Sequence, residues 1–350
     1  MDNSAFTETI HARLDIIRAL HASSGLFTAA ARDVTTGYDK AWLRDNFYTA
    51  LAFEWSGDRI VSTGVYRAIL DIFLKHEHKI VKAKESRPYE TWQYIHARYH
   101  PETFEEYWEE WGNKQNDAVG AILFKIATLE ATGWQILRSD DDRRILQHLV
   151  DYLASIEYWQ DPDNGIWEEY EEVHASSVGA CIAGLRAAAQ LPFITIPEGL
   201  IARGEEALRA LLPRESTTKF CDLALLSLIF PYNLLDKETE DTILKNVTYH
   251  LTKERGIIRY KTDRYYNKDE IDKWSQEAEW TMGFPWLAII YARRGERALA
   301  EAYLAKTASL LYDNKLPELY FSGTAVPNEN IPLGWAESLY VVAMLEVHRL

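Results

Sequence analysis

The feature that most constrains this chain is an alternation in the length of the connections between its helical segments. About twelve segments carry apolar residues at helical spacing, near 4–22, 45–56, 58–80, 115–132, 140–158 and 175–190, then near 200–212, 219–230, 237–252, 277–293, 295–312 and 333–349. Short connections follow every second segment: Ser56 to Asp58, Thr132 to Ser139, Leu191 to Gly199, Pro231 to Asp236, and Arg294 to Gly295. Long ones fall between them: Ser23 to Arg44, Val81 to Lys114, Gln160 to His174, Lys253 to Gln276, and Asp313 to Pro332. Only Pro213 to Thr218 is short for its place. Helices paired as hairpins around a ring would send every long connection to one face. The expected fold is therefore all-α, an (α/α)6 barrel of six hairpins, with residues 1–350 forming a single domain. Strand-like pieces, such as Gly256 to Tyr260, are confined to the connections.

The segment from Ala175 suits the inner ring, because Ala175, Ser176, Gly179, Ala180, Ala183 and Gly184 let neighbouring backbones approach closely. The same small residues are equally compatible with ordinary helix packing.

Charge narrows the partners. The formal net charge of -15, from 53 acidic and 38 basic residues, would repel polyphosphates and anionic lipid surfaces, so no nucleic-acid or membrane partner is expected. The two cysteines, Cys181 and Cys221, sit among small or apolar residues and are expected as buried thiols rather than a disulfide. Met1 to Leu20 lacks the apolar core and cleavage site of a secretion signal, and the apolar run Leu223 to Leu235 is too short for a bilayer and broken by Pro231. A cytoplasmic location is expected. Twelve Trp and 20 Tyr exceed what a core of this size needs, so some should line a binding surface.

Nearly all conspicuous polar and aromatic clusters fall on the long connections, where a site would be assembled. In Trp42-Leu43-Arg44-Asp45-Asn46, Asp45 and Asn46 could bind hydroxyls while Arg44 orients them; otherwise Asp45 caps the helix and pairs with Arg44. In the run from Trp111 to Asp117, Trp111 could stack on a sugar ring and Gln115 hydrogen-bond it, or the segment is a core tryptophan followed by a polar cap. Asp161 to Gly165 make a turn followed by Ile166, Trp167, Glu168 and Glu169. An apolar wall at Trp167 and a like charge at Glu169 would both raise the pKa of Glu168, as a general acid requires near neutral pH. The competing reading is a solvated acidic run, since Glu171 and Glu172 follow. Arg255 to Lys268 is rich in Arg and Tyr, with Arg259 on an extended piece, and Glu318 is an isolated carboxylate between apolar neighbours.

Two carboxylates on opposed loops of one face are what glycoside hydrolysis needs, one to protonate the leaving oxygen and one to activate water. Other chemistries lack their signatures: there is no Gly-rich phosphate loop, no Gly-x-Ser-x-Gly elbow, and no metal-ligand spacing among the ten histidines, so neither metal nor cofactor is expected. His174, beside the Glu168 loop, reads as a capping or supporting residue.

Six short segments, in order along the chain, carry a family resemblance: Asp39 to Tyr48 (DKAWLRDNFY), Asp163 to Glu168 (DNGIWE), Ala175 to Gly179 (ASSVG), Leu211 to Lys219 (LLPRESTTK), Leu316 to Tyr320 (LPELY) and Trp335 to Val342 (WAESLYVV). Together they resemble glycoside hydrolase family 15, the glucoamylase family, and within it most closely the glucoamylase-like domain of phosphorylase kinase α and β subunits. The resemblance implies an (α/α)6 barrel that removes glucose from the non-reducing end of α-glucosides with inversion. It implies Glu168 as general acid, Glu318 as general base, and Arg44 and Asp45 as the pair holding the terminal glucose. Trp111 and Gln115 match a tryptophan platform and its neighbour, Glu169 and Arg259 match substrate contacts, and Trp42, Trp167 and Trp335 join the pocket wall.

Neither a β-sandwich nor a starch-binding module is expected, and the expected substrate is accordingly a short oligosaccharide of the maltose or isomaltose type. The segment from Asp263 to Glu277 departs from the simpler hydrolase pattern. The competing function is a sugar-binding regulatory domain without catalysis, as the kinase resemblance allows. Another (α/α)6 activity, such as a lyase, epimerase or phosphorylase, is the third.

Overall fold

The computed structural model describes residues 3–109, 111–267 and 276–350. Thirteen α-helices lie within them. Six form an inner ring: α2 (Leu43–Ser56), α5 (Asn116–Ala131), α7 (Ala175–Ala188), the short α9 (Leu226–Ile229), α11 (Gly283–Arg293) and α13 (Gly334–His348). Each packs on the next, and α13 returns to α2, so the ring closes. The others are α1 (Asn3–Arg18), α3 (Arg59–Lys75), α4 (Glu77–Glu85), α6 (Asp140–Ile156), α8 (Leu200–Leu211), α10 (Lys237–His250) and α12 (Arg297–Ala308). These lie outside the ring, and α13–α1, α2–α3, α5–α6, α7–α8, α9–α10 and α11–α12 make six hairpins. The fold is the (α/α)6 barrel.

Sequence explains which helices go inside. α5, α7, α11 and α13 are apolar or small around most of their circumference and bury nearly every residue. α6 and α8 carry a single apolar stripe and bury only that face. The α5–α7 contact is the tightest, because a Cβ on Gly120 would lie 2.5 Å from the Ala180 carbonyl carbon and one on Gly184 would lie 2.7 Å from the Gly120 oxygen. Both cysteines are buried free thiols, and Cys181 Sγ donates to the Asn116 oxygen across this contact, 3.3 Å.

Three expected segments differ. The one near 58–80 breaks at His76 into α3 and α4, with the Asp58 carboxylate capping the first turn of α3. The one near 219–230 shrinks to a 3-10 turn, Leu223–Leu225, and the four-residue α9, because the Asp222 side chain starts the turn at Ala224 and Pro231 ends the helix. The one near 277–293 begins only at Gly283, since Glu279–Trp280 pairs as a strand instead.

Two small antiparallel pairs stand on the long-connection face. β1 (Ala41–Trp42) pairs with β2 (Arg98–Tyr99), and β3 (Glu279–Trp280) pairs with β4 (Leu319–Tyr320). No helix among the described residues is long and apolar enough to cross a membrane.

Candidate active site

All five long connections and the starts of two inner helices surround a cavity of about 480 Å³, the size of a small-ligand pocket. Trp42, Arg44, Asp45, Trp111, Trp167, Glu168, Glu169, Arg259, Glu318 and Trp335 all line it. Residues far apart in the chain are thus brought together on the face that the loop alternation selects.

The Glu168 loop is held from below. Asn164 pairs its backbone with Lys114, and its side chain accepts from the Lys114 amide (3.1 Å) and donates to the Glu169 oxygen (2.5 Å). Asp163 accepts from the Asn116 amide at the start of α5, 2.8 Å. Gly165 takes φ +63° with the His174 ring so close that a Cβ would meet it at 2.7 Å, a place only glycine fills. Glu168 itself has φ +63°, which costs a residue with a side chain about 1–3 kcal/mol. That strain turns its carboxyl into the cavity, where its side chain is 22 % exposed and Arg44 Nη2 donates to Oε1 at 2.8 Å. Burial, opposed by Arg44 and assisted by Asp45, raises the Glu168 pKa to about 7.

The like charges that act most on Glu168 are therefore Asp45 and, less strongly, Asp117, rather than Glu169. Glu169 is neutralised: Arg259 Nη2 donates to Oε1 (2.6 Å), while Tyr260 (2.6 Å) and Lys219 (3.2 Å) bond Oε2. Burial works against the Glu169 carboxylate, but Arg259 and Lys219 win and hold its pKa below the ordinary value. Arg259 is fixed in turn by a bidentate pair with Asp263, 2.6 and 2.7 Å.

Glu318 precedes β4, where Thr281 grips both Pro317 and Glu318 carbonyls and sets the strand ending. Among the described residues its carboxylate accepts from neutral donors: Tyr38 on Oε1 (2.8 Å), Asn328 (2.6 Å) and Asn330 (2.7 Å) on Oε2. Burial raises its pKa, and the three hydrogen bonds resist that rise. The Tyr38 hydroxyl lies 3.1 Å from that of Tyr265, so with Tyr38 donating to Glu318, Tyr265 donates to Tyr38.

Two expected ligand contacts lie elsewhere. Gln115 does not line the cavity; its oxygen accepts from Arg44 Nη1 (2.8 Å) and its amide donates to the Gly112 oxygen (2.7 Å), so it aims Arg44. Asn46 is also removed from the cavity, clamping the Phe27 backbone and the Trp42 oxygen. Trp335 lines the wall and stacks on Tyr48 at 4.1 Å. Trp111 carries the Arg98 guanidinium over its ring at 4.2 Å. Of the Asp263 to Glu277 segment, residues 268–275, including Lys268 of the Arg- and Tyr-rich run, lie outside the described residues.

Among the described residues, the indole N–H groups of Trp42, Trp280 and Trp335 and the Nε of Arg44 and Arg98 are buried without a hydrogen-bond partner. All of these residues line the cavity. Stacking faces beside unused donors and carboxylates suit a neutral polyhydroxylated ligand.

The sequence profile described as Glycosyl hydrolases family 15 matches residues 11–195, more than half of the chain. The chain belongs to glycoside hydrolase family 15.

Among curated relatives, this family 15 chain is 26 % identical to the probable phosphorylase b kinase regulatory subunit alpha of Caenorhabditis elegans, over 87 % of the chain and 30 % of the relative. The skeletal muscle isoform of that subunit from Oryctolagus cuniculus is also 26 % identical, over 88 % of the chain and 30 % of the relative. The chain thus spans about 30 % of the length of these relatives. Among solved structures, a wild-type glycosidase superposes with a TM-score of 0.81 at 20 % identity, with both chains fully covered. A variant glycosidase in complex with glucose superposes equally well, with a TM-score of 0.81. Glucoamylase from Saccharomycopsis fibuligera gives 0.69 at 13 % identity, covering 99 % of this chain and 95 % of the other. At such identities the likeness establishes the shared glucoamylase-like fold.

Tyr38, Arg98 and Trp280 are among the lining residues that the sequence did not single out, and Tyr265 lies within the Arg- and Tyr-rich run Arg255 to Lys268 without standing out in it. Tyr38 immediately precedes the DKAWLRDNFY segment and Trp280 fell inside an expected helix. Arg98 lies deep in the Val81 to Lys114 connection, where no local spacing distinguishes it.

Proposed function

We propose that this family 15 chain is an inverting, exo-acting α-glucoside hydrolase that releases glucose from the non-reducing end of short α-gluco-oligosaccharides, with residues 1–350 acting as one catalytic unit. The observation that carries this reading is the pair of carboxyls in one cavity with different surroundings. Glu168 is held toward its protonated form near neutral pH, while Glu318 is cradled by three neutral donors.

Arg44 occupies Glu168 Oε1, so Oε2 carries the proton. In the reaction Glu168 passes that proton to the glycosidic oxygen as the C1–O bond breaks. A water on the opposite face bonds to C1 and gives its proton to Glu318, yielding β-glucose and the shortened leaving alcohol. Arg44 then stabilises the Glu168 carboxylate that is left, and proton exchange with solvent resets the pair. Inversion requires the two carboxyl groups to stand roughly 6.5–9.5 Å apart. Arg44, Asp45 and the unused indole donors hold the terminal glucose, in keeping with the glucose complex solved for a glycosidase of the same fold.

The test is hydrolysis of maltose, isomaltose and other α-linked disaccharides by wild type, Glu168→Gln and Glu318→Gln, with the anomer followed by NMR. Each variant is expected to lose about 10²–10⁴-fold in rate, and the first product is β-glucose. A sugar-binding regulatory module is the second reading, favoured by the regulatory-subunit relatives. Glucose binding with wild-type turnover no better than either variant would establish it.

A further inference from the structure

Glu337 is fully buried in the first turn of α13, yet it does not line the cavity. An apolar side chain of similar volume would fill this place without taking a carboxyl out of water, so packing alone does not account for it. Its Oε1 accepts from the Leu316 amide at 2.7 Å. Among the described residues Oε2 has no hydrogen-bond partner, and it faces Nη1 of the buried Arg13, on α1, at 3.5 Å. Arg13 directs its own bonds to Asn314, from Nη1 to the backbone oxygen (2.7 Å) and from Nη2 to Oδ1 (2.5 Å). Asp313 and Asn314 take φ +46° and +61°, so the last long connection begins in a tight turn. Arg13 holds that turn at Asn314, and Glu337 holds it at Leu316.

From Leu316 a series of bonds leads to Glu318. The Leu316 oxygen accepts from the Leu333 amide (3.0 Å), the Pro317 oxygen accepts from the Thr281 hydroxyl, and the Glu318 amide donates to the Asn330 oxygen (3.1 Å). Leu333 and Trp335, at the start of α13, line the cavity. Glu337 thus ties the segment that carries Glu318 to the helix that carries a cavity wall. Asn328 and Asn330 belong to the same connection as Glu318 and move with it, whereas Tyr38 does not. A connection released at Leu316 would therefore separate Glu318 from Tyr38 first.

We propose that Glu337, supported by Arg13, is a positioning residue for the general base: through the Leu316 amide it sets where the Glu318 carboxyl stands against Tyr38 and the cavity wall. The naming of Glu318 as base rests on the hydrolase reading; the placement of its segment does not. Burial raises the Glu337 pKa to about 7, against the Leu316 bond and Arg13. An oxygen remains to accept from Leu316 in either protonation state, so glutamine can stand in for it.

The experiment compares wild type with Glu337→Leu, Glu337→Gln and Arg13→Met, for kcat, KM and pH–rate profile on a disaccharide that wild type cleaves, and for backbone hydrogen exchange over residues 313–333. For Glu337→Leu the expected kcat is lower by about tenfold to a hundredfold at a KM within about twofold. Its acid limb moves to higher pH, because Glu318 loses the Tyr38 donor. Exchange over 313–333 quickens while α5 and α7 stay protected. Glu337→Gln recovers most of the rate and of the protection. A folded Glu337→Leu with wild-type kcat and acid limb overturns the proposal, and so does a loss that glutamine fails to recover. Should Glu337→Leu not fold, Arg13→Met decides, with about tenfold lower kcat and the same limb shift expected and an unchanged profile overturning the proposal. A wild type that cleaves none of the disaccharides sinks the hydrolase reading alone. Hydrogen exchange then tests the placement, and equal exchange in wild type and in Arg13→Met and Glu337→Leu overturns it.

Discussion

Arg44 Nη2 donates to Glu168 Oε1 at 2.8 Å, while Nη1 of the same guanidinium is held by Gln115 (2.8 Å) and Asp117 (3.1 Å). One arginine thereby ties the proposed acid to two buried residues at the start of α5. Because burial raises the Glu168 pKa to about 7 and Arg44 opposes that rise, the protonated form is present below about pH 7 and lost above it. The wild-type kcat/KM is expected to fall with a single-proton limb near that pH.

Arg44→Met removes the opposing cation, so the Glu168 pKa climbs and the alkaline limb moves to higher pH. Rate is lost as well, by about 10²-fold, because the carboxylate formed in the transition state has no partner. A pH–rate profile of the variant checks both. An alkaline limb that stays in place would show that the limb belongs to another group.

Tyr38→Phe strips one donor from Glu318. Hydrogen bonding lowers the Glu318 pKa against burial, so the acid limb, where protonation of the base stops turnover, should shift to higher pH. The rate should drop about tenfold, the worth of one hydrogen bond to a charged group. Tyr265→Phe, one step further along the hydroxyl chain, should shift the same limb by less.

His174 sits between Glu215, whose Oε1 is 3.5 Å away, and Asp163. Burial alone would lower its pKa, but these two carboxyls raise it to about 9. The folded state thus holds a proton that the unfolded chain releases near its ordinary value of 6.5. This contribution to stability is fully present below about pH 6.5 and is lost as pH rises to about 9. Urea unfolding across that window should show a slope of up to about 1.4 kcal/mol per pH unit that His174→Gln flattens.

Gly120→Ala drives a methyl into the Ala180 backbone, 2.5 Å away. Backbone cannot yield as a side-chain tip can, so the ring must open between α5 and α7. A stability loss of about 1–3 kcal/mol is expected in denaturant melts, while Gly133→Ala, with open space around it but φ +82°, should lose less.

The barrel was legible because its evidence is periodic and local. Apolar spacing marks α2, α5, α6 and α13 almost to their ends, and the loop alternation puts Glu168 and Glu318 on one face, where both line the cavity. Errors arose where a local pattern competes with pairing across space: Glu279–Trp280 reads as helix but is captured by Leu319–Tyr320.

By itself the sequence determined the six-hairpin ring and the face on which the long connections gather, since both depend on spacing and residue type along one stretch of chain, and it marked part of the cavity lining, Glu168 and Glu318 included. Tertiary structure alone decided which charge acts on which. Glu169 follows Glu168 directly, yet its carboxylate belongs to Arg259 and Tyr260, while Asp45 and Arg44, more than a hundred residues away, act on Glu168. Electrostatic coupling falls with distance through space and with access to water, and neither is written in the order of residues.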